Sequence, residues 1–511
     1  MVISKGGPLD TMARLASSNA HELVQFLQKP QADFTKEDLI HYIKANDVQF
    51  VQFRHVGGDG RLKTLGFVVT DEVELDRLLS EGERVDGSSL LPFVDTSSSD
   101  LYVVPRYRTA FRNPFTQFPT VDILCTYYTS TGERLAAAPE TVLHNAHAAL
   151  KRHTGLTMDA LGELEYYVIF DDSHHFPVKP QRGYHESSPF CRGDVLRTEA
   201  MRALARAGVR VKYSHSEVGN ICKDDREMEQ HEIELALSPL EDAADQLLIS
   251  MWMLRMLGYQ QSVTVSFAPK IIPGHAGNGM HVHTRLMRDG ESVMIEDGRL
   301  SDIARKAVAG YVSHAPSLTA FGNMVPTSYL RLVPHQEAPT NVCWGDRNRS
   351  ALVRVPLGWL NVKDMARDAN PQQISGGHTY GSAQTVEVRS PDGSANVYLL
   401  LAGLAVAVRH GIEMPDALDV ASRNYVDVNI FAEEQKAVRE RLRQLPSSCV
   451  ESAAELLKDR AVYERDGVFP SVVIDQIAAQ LENFNDAGLV ERIRDNEVEV
   501  ARVIDEYLLC P

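Results

Sequence analysis

Alternating hydrophobic and polar positions indicate a small mixed domain in the first part of the chain. Residues 48–70 form two alternating runs around a Gly-Gly-Asp-Gly turn, which predicts a β-hairpin. Further runs at 101–105 and 119–128 predict more strands, and a helical period covers most of residues 10–45. The predicted units are a helical N-terminal extension, residues 1–35, and an α+β domain, residues 36–133.

Strand-like and helical patterns alternate over the longer remainder of the chain. An amphipathic pattern at 140–155 predicts a helix, and residues 432–511 are helical in character throughout. The segment 359–382 shows neither period and predicts a surface insertion, since loops of that length are unusual in a compact domain. These patterns predict a large α/β domain over residues 134–511. Its other predicted elements are strands at 163–170, 230–237, 261–269, 279–286, 350–355 and 384–390, and helices at 195–207, 240–258 and 394–412.

Charge and composition exclude several classes of protein. The chain of 511 residues has 52 basic and 69 acidic side chains, a formal charge of −17, which argues against a general nucleic-acid binder. Its six cysteines form no C-x-x-C pair, which favours a reducing compartment. The N-terminus lacks a signal-peptide pattern, and the hydrophobic run at 397–408 is too short to span a bilayer. We therefore expect a cytoplasmic protein without membrane or nucleic-acid partners.

Two glutamates interrupt an otherwise hydrophobic predicted strand, LGELEYYVIF. Glu163 and Glu165 are two residues apart, so both side chains share one face of the strand. Ionised carboxylates on a half-buried wall repel each other, and burying either of them is unfavourable without a compensating charge. The pair therefore indicates a metal or another bound cation. The alternative is an edge strand with both acids in water.

The same spacing recurs on two other predicted strands. His281 and His283 are two apart after a glycine-rich run, and Glu387 and Arg389 are two apart further on. Taken singly, each pair could be a solvated or an ordinary core pair. Because all three pairs have hydrophobic flanks, we expect them to line one interior cavity. Carboxylates with one or two imidazoles suit Mg²⁺ or Mn²⁺ better than a soft metal.

A basic cluster follows the glycine-rich run. Arginine side chains bind carboxylate and phosphoryl oxygens in a bidentate way, and divalent metals with several arginines are typical of phosphoryl transfer. The alternative is a set of surface ion pairs. The chain has no G-x-x-x-x-G-K-[ST] motif, so we expect no P-loop for the nucleotide. The cluster consists of Arg331, Arg347, Arg349 and Arg354, with Glu337 between them.

From about residue 36 to the end, the chain resembles the glutamine synthetases, and most of all the bacterial type I form. Several motifs match in the family's order, which makes the resemblance highly specific. They are VDGSS (85–89), GELEYYVIF (162–170), APKIIPGHAGNGMHVH (268–283), SYLRLVPHQEAP (328–339), RNRSALVRVP (347–356) and VEVRSPDGSANVYL (386–399).

This resemblance implies a fold, an assembly and a metal centre. The implied fold is α+β: an N-terminal β-grasp domain, then a large α/β catalytic domain whose antiparallel sheet forms an active-site barrel, with a helical C-terminus. The implied assembly is a homo-oligomer of two stacked hexameric rings, a dodecamer, with active sites between subunits. At least two Mg²⁺ or Mn²⁺ ions per site are implied. Their implied ligands are Glu165, Glu217 and Glu232 for one ion, and Glu163, His281 and Glu387 for the other.

The family's reaction gives roles to the other matching residues. The γ-carboxylate of glutamate attacks the terminal phosphoryl group of ATP, a substrate, and ammonia or an amine then displaces phosphate. Arg349, Arg354 and Arg389 are implied to neutralise the phosphoryl group, and His283, with Arg349 and Arg354, to contact ATP. Arg331, Ala276 and Gly277 are implied to hold the amino-acid substrate, Asp86 to bind and deprotonate ammonium, and Glu337 to close the site.

Departures from the family pattern leave the substrates open. Ala276 stands where the family usually has asparagine, the spacer at 218–231 is longer than usual, and so is the segment 359–382. The first interpretation is glutamine synthesis from glutamate and ammonia. The alternative is a γ-glutamyl ligase for an organic amine such as methylamine, ethanolamine or a polyamine. A third, an ATP-binding regulator or scaffold, is disfavoured by the complete set of metal positions.

Overall fold

The computed structural model describes residues 20–172, 176, 179–223, 225–333, 338–360, 362–372, 383–493 and 496–510. Part of the predicted N-terminal extension, residues 1–19, and part of the predicted loop at 359–382 lie outside these ranges. Glu337 also lies outside them.

The strands belong to two large sheets and one short hairpin. They are β1 (Phe50–Val56), β2 (Leu62–Val68), β3 (Glu83–Asp86), β4 (Asp100–Pro105), β5 (Phe111–Arg112), β6 (Thr120–Tyr128), β7 (Thr157–Phe170), β8 (Val211–Lys223), β9 (Arg226–Leu235), β10 (Ser238–Pro239), β11 (Thr264–Ser266), β12 (Met280–Arg288), β13 (Glu291–Ser292), β14 (Ile295–Glu296), β15 (Arg299–Leu300), β16 (Trp344–Asp346), β17 (Val353–Val355) and β18 (Val386–Val388).

The α-helices lie mainly in the larger, C-terminal part of the chain. They are α1 (Glu22–Leu27), α2 (Lys36–Ala45), α3 (Glu72–Glu81), α4 (Pro139–Thr154), α5 (Asp194–Arg206), α6 (Leu240–Gln260), α7 (Asp302–Gly322), α8 (Ser328–Arg331), α9 (Met365–Ala369), α10 (Val397–Glu413), α11 (Ala417–Arg423), α12 (Lys436–Arg441), α13 (Cys449–Glu464), α14 (Ser471–Asn483), α15 (Leu489–Ile493) and α16 (Glu497–Tyr507).

The first sheet contains the strands of the N-terminal part. Its six strands follow the order β2-β1-β6-β4-β3, with β5 beside β6. β1 and β2 form the hairpin predicted over residues 48–70, and β1 runs parallel to β6. Hydrophobic residues of β1 pack with α2 and α3, as Phe53 does with Leu39 and Leu79, in their own hydrophobic cluster. The predicted domain boundary between residues 133 and 134 stays a prediction.

The second sheet contains most of the candidate catalytic residues. Its ten strands follow the order β16-β17-β18-β12-β7-β9-β8, with β10 and β11 beside β7 and β13 beside β12. Neighbouring strands are antiparallel except for β16 and β17. The long strand β7 therefore lies between β12 and β9, and side chains from all three strands share one surface of the sheet. β8 was not among the predicted strands, because its sequence VKYSHSEVGNICK does not alternate clearly between hydrophobic and polar residues.

Long helices pack against this sheet and against each other. α10 is hydrophobic on nearly all sides and packs against α4 and α7 in the main core. The sequence did not predict α7, because Pro316 lies inside it and Gly310 weakens its helical pattern. Gly310 has a packing reason: a Cβ atom there would lie 2.0 Å from the Ala407 carbonyl oxygen of α10. The two helices can therefore approach closely only with glycine at this position.

The C-terminal part is helical, as predicted for residues 432–511, with turns between helices α12 to α16. The predicted loop at 359–382 contains the short helix α9. Among the described residues, no single helix is long and apolar enough to cross a membrane. Helices α10 and α11 together have the length and composition of a membrane-spanning segment, but the pair is bent by 110° at its junction.

Candidate active site

The pairing of the central strands brings the three predicted residue pairs onto one wall. His281 of β12 lies opposite Glu163 of β7, and Glu165 lies opposite Glu232 of β9. On the other side of β12, His283 lies opposite Glu387 of β18. All of these residues except His283 border a cavity of about 1030 Å³, called here the catalytic cavity. The predicted residues that line it are Glu163, Glu165, Glu217, Glu232, Ala276, Gly277, His281, Arg331, Arg349, Arg354, Glu387 and Arg389.

Two carboxylates and two imidazoles form one compact group on this wall. The Glu163 oxygens lie 2.9 Å from His281 Nδ1 and 2.9 Å from His283 Nε2. Glu387 is farther, with oxygens 3.7 Å from His281 Nδ1 and 3.9 Å from His283 Nε2. Glu163, His283 and Glu387 have the spacing of metal ligands, and His281, which the resemblance assigned to this set in place of His283, lies beside them.

Histidine charge controls the ionisation of this group. Burial alone would raise the pKa of Glu163, but His283 and His281 outweigh it and hold that pKa well below the usual range. Burial alone would lower the pKa of His283, but Glu163 and Glu387 outweigh it and raise that pKa. Glu163 therefore remains ionised, as a carboxylate ligand must be.

A second group contains His215, Glu217 and Glu232, also at the spacing of metal ligands. His215 Nε2 lies 3.2 Å from Glu232, and its Nδ1 lies 3.7 Å from Glu217. Sequence reasoning assigned no role to His215, although it lies two residues before Glu217 and so could have been placed on the same face. Glu165 lies beside this group and accepts a hydrogen bond from the Gly279 N–H at 2.6 Å.

Burial and crowding make Glu165 and Glu232 hard to ionise without a cation. Burial, with the charge of Glu217, raises the pKa of Glu165 to about 7. Burial and the neighbouring carboxylates Glu163 and Glu165 raise the pKa of Glu232 well above its usual value. A divalent cation would offset this repulsion, and an oxygen-rich set with imidazoles suits Mg²⁺ or Mn²⁺. The donor set therefore fits the implied metals.

Arginines line the cavity beside the acidic residues. Arg354 Nη1 donates to Glu387 at 2.7 Å, and Arg389 Nε lies 3.1 Å from the same carboxylate. Arg331 is buried and donates to the Ser390 carbonyl oxygen at 2.8 Å. Arg349 lines the cavity and is exposed. Cationic forks and acidic groups therefore face one space, as the basic cluster in the sequence predicted.

The glycine-rich segment before β12 forms another wall of the cavity. The Ala276 N–H donates to Gln181 Oε1 at 2.7 Å, and the Ala276 carbonyl oxygen accepts from the Tyr167 hydroxyl at 2.9 Å. Gly277 is required here, because a Cβ atom would lie 2.3 Å from the Pro269 carbonyl oxygen. Gln181 and the buried Lys270 also line the cavity, and sequence reasoning missed both because neither belongs to a regular pattern.

Aromatic rings gather beside the second acidic group. Tyr184 stacks on His185 with ring centroids 4.3 Å apart, and His185 lies 4.5 Å from His215. Tyr213 stacks on His215 from the other side at 5.9 Å, and both tyrosines are partly exposed. No local pattern in the sequence indicated this cluster, because a loop and a strand contribute its members. Aromatic faces beside carboxylates suit a bound cation.

The predicted site residue His283 does not line this cavity but contacts Glu163, which does. Asp86 lies away from the site residues. It ends β3, is exposed, and accepts hydrogen bonds from the Ser88 and Ser89 hydroxyls at 2.7 and 2.6 Å. These hydroxyls hold the pKa of Asp86 below its usual range. Asp86 does not border the cavity of its own chain.

Comparisons with known proteins agree with this architecture. The family description "Glutamine synthetase, catalytic domain" matches residues 136–483, and "Glutamine synthetase, beta-Grasp domain" matches residues 47–130. A glutamine synthetase of Frankia alni is 32% identical over 425 residues, which cover 76% of this chain and 84% of that protein.

Two solved structures share the fold. The Plasmodium falciparum glutamine synthetase has a TM-score of 0.72 and 22% identity, over 89% of this chain and 96% of its own. A ligand-free structure called GmaS has a TM-score of 0.68 and 17% identity, over 88% of this chain and 96% of its own. A β-grasp domain followed by a catalytic domain of mixed sheets and helices is therefore confirmed.

Proposed function

The chain belongs to the glutamine synthetase family, and on that premise we propose that it forms glutamine from glutamate and ammonia in a reaction driven by ATP. It is an enzyme of this family or a close γ-glutamyl ligase. One observation carries the proposal. Carboxylates and an imidazole on the central strands line a single cavity together with Arg354 and Arg389, which pair with Glu387 there.

Each wall of the cavity supports one requirement of the reaction. The γ-carboxylate of glutamate attacks the terminal phosphoryl group of ATP, ADP leaves, and ammonia then displaces phosphate from the γ-glutamyl phosphate. Arg349, Arg354 and Arg389 neutralise the transferring phosphoryl group, where positioned charge supplies most of the catalysis. Arg331, next to Ala276 and Gly277, holds the α-carboxylate of glutamate.

Divalent ions fit the two acidic groups of the wall, and when bound they polarise phosphoryl oxygens. Glu163, His281 and Glu387 would hold one ion, with His283 within the same group and in reach of ATP phosphate. Glu165, Glu217 and Glu232 would hold the other. We propose Mg²⁺ or Mn²⁺ at both, because these ions prefer oxygen ligands.

The proposed enzyme assembles into two stacked hexameric rings with sites between subunits. Asp86 supports this proposal, because it lies outside the cavity of its own chain while its hydroxyl partners keep it ionised. In the ring, Asp86 of one subunit would bind ammonium at the next subunit's cavity and accept its proton. Glu337 would shield the acyl phosphate from water.

An organic amine is the second candidate acceptor. The aromatic cluster around Tyr184 and Tyr213 favours it, because aromatic faces bind alkylammonium groups better than they bind small, strongly hydrated cations. The similarity to GmaS shows only the fold and leaves the acceptor open. In either case the chemistry up to the acyl phosphate is the same.

The test is phosphate release from ATP by the purified protein with glutamate and Mg²⁺ or Mn²⁺. Ammonia is compared with methylamine, ethanolamine and a polyamine, and the products are identified by mass. Glutamine as the main product is the expected result. Turnover with an organic amine alone would establish the second candidate, and no turnover with any acceptor would contradict both.

A further inference from the structure

A second cavity, of about 940 Å³, lies on the other face of the strand that carries Arg354. Arg354 lines the catalytic cavity and the next residue, Val355, lines the second one, because neighbouring strand residues point to opposite faces. The β14–β15 hairpin, β16 and residues 356–360 border it. Nothing in the proposed reaction uses this space.

Hydrophobic and aromatic side chains form its walls. Trp344 is buried and meets Tyr425 edge to face, with ring centroids 4.9 Å apart. Leu357 and Trp359, which also border the cavity, are 74% and 48% exposed. Large hydrophobic side chains in one exposed cluster favour a ligand, since covering them with a hydrophobic surface stabilises a complex.

Three arginines and one aspartate supply the charge. Arg305 is already paired with Asp302 at 3.0 Å. Within the described parts of the chain, the guanidinium groups of Arg299 and Arg347 make no hydrogen bond or ion pair. Asp346 is the single acidic residue on the walls formed by described residues. The excess of positive charge favours an anionic group.

Arg347 connects the two cavities. It follows β16, has a backbone φ of 56°, and donates its N–H to the Val355 carbonyl oxygen at 2.8 Å. Its side chain borders both cavities, and Arg349 follows two residues later. An anion on Arg347 in the second cavity therefore lies beside the arginines of the catalytic cavity.

We propose that the second cavity binds a flat, apolar organic anion. Its ring packs against Trp359 and Leu357, and its carboxylate or phosphate group pairs with Arg299 and Arg347. Guanidinium groups bind either oxyanion in a bidentate way, and indole and aliphatic side chains pack well on a planar ring. This site is separate from the proposed reaction, so its test does not depend on activity.

Calorimetric titration of the full chain tests the proposal, with ATP and Mg²⁺ present in excess to occupy the catalytic cavity. The probes are 1-naphthoate, 1-naphthyl phosphate and the neutral 1-naphthamide. We expect at least one anion to bind with a Kd below about 1 mM and about tenfold more tightly than the amide. The tighter of the two anions identifies the oxyanion preferred.

Two variants locate the binding. Trp359→Ala and Arg299→Gln should each weaken it about tenfold. Arg299 is exposed, so its variant remains informative if the tryptophan variant does not fold. The matched controls are Arg202→Gln on α5 and Phe118→Ala, exposed residues outside both cavities, which should leave the affinity unchanged.

Three results would overturn the proposal. Equal affinity for the anions and the amide would remove the role of the arginines. Unchanged binding in both variants would place the probe elsewhere. No measurable binding of any probe at about 5 mM, with ATP in excess, would show that the second cavity is not a ligand site.

Discussion

The catalytic cavity and the second cavity lie on opposite faces of strand β17, yet different kinds of side chain form them. In the first, Glu163 already contacts His283, and Glu387 already contacts Arg354, before any ligand arrives. In the second, hydrophobic side chains are exposed, and the guanidinium group of Arg299 makes no hydrogen bond or ion pair among the described residues. Buried charges that constrain each other suit chemistry, because their positions are fixed in advance. Arginine side chains without an ionic partner, beside an apolar wall, suit the binding of a ligand.

The largest expected effect is in the acidic wall. Glu387→Gln removes the charge that pairs with Arg354 and Arg389 and one proposed metal ligand. We expect kcat/KM for phosphate release to fall at least about a hundredfold. Glu296→Gln, an exposed glutamate on β14, is the control and should behave as the wild type. Retained activity in Glu387→Gln would mean that the acidic wall is not catalytic.

The next effect separates the arginines of the two cavities. Arg354→Lys keeps the charge but loses the fork that binds Glu387 and phosphoryl oxygens, so we expect kcat to fall about tenfold or more. Arg299→Lys in the second cavity should leave kcat within about twofold. Steady-state kinetics with ATP and glutamate measures both, and equal losses would contradict the contrast between the two cavities.

Metal addition should change stability in a pH-dependent way. Burial raises the pKa of Glu165 from 4.5 to about 7, so between these values the folded, metal-free protein binds a proton that the unfolded chain has lost. Its stability therefore falls as pH rises through that window. Because Mn²⁺ binds the ionised acids, it should raise Tm more at about pH 8 than at about pH 6.

Differential scanning calorimetry with and without Mn²⁺ measures this shift. Glu165→Gln removes the titrating group and should reduce the difference between the two pH values. A shift that is equal at both values, or larger at the lower one, would speak against proton and metal competing for these acids.

The smallest expected effect on activity is in the second cavity. Trp359→Ala removes part of the wall of the second cavity, and Trp359 is not among the residues that line the catalytic cavity. We expect its kcat and the KM values for glutamate and ATP to stay within about twofold of the wild type. A large change without ligand present would show that the second cavity supports the catalytic one structurally.

Strong local patterns predicted much of the fold and site. The hairpin at 48–70, the helices around α6 and α10, and the three residue pairs all follow from periods of two or 3.6 residues. Helix α7 escaped prediction because Pro316 and Gly310 obscure its period, although burial on nearly every side stabilises it. His215 and Tyr184 escaped because they come from a mixed strand and a loop.

The sequence by itself determined which side chains share a strand face, because alternation is a local property of the extended backbone. It therefore placed Glu163 with Glu165, and Glu387 with Arg389. Only the tertiary structure decided which strands lie side by side, since pairing order depends on the packing of the whole sheet. That order set Glu163 opposite His281 and left Asp86 outside the cavity. It also created the second cavity, because segments distant in sequence meet there and no local pattern records their contact.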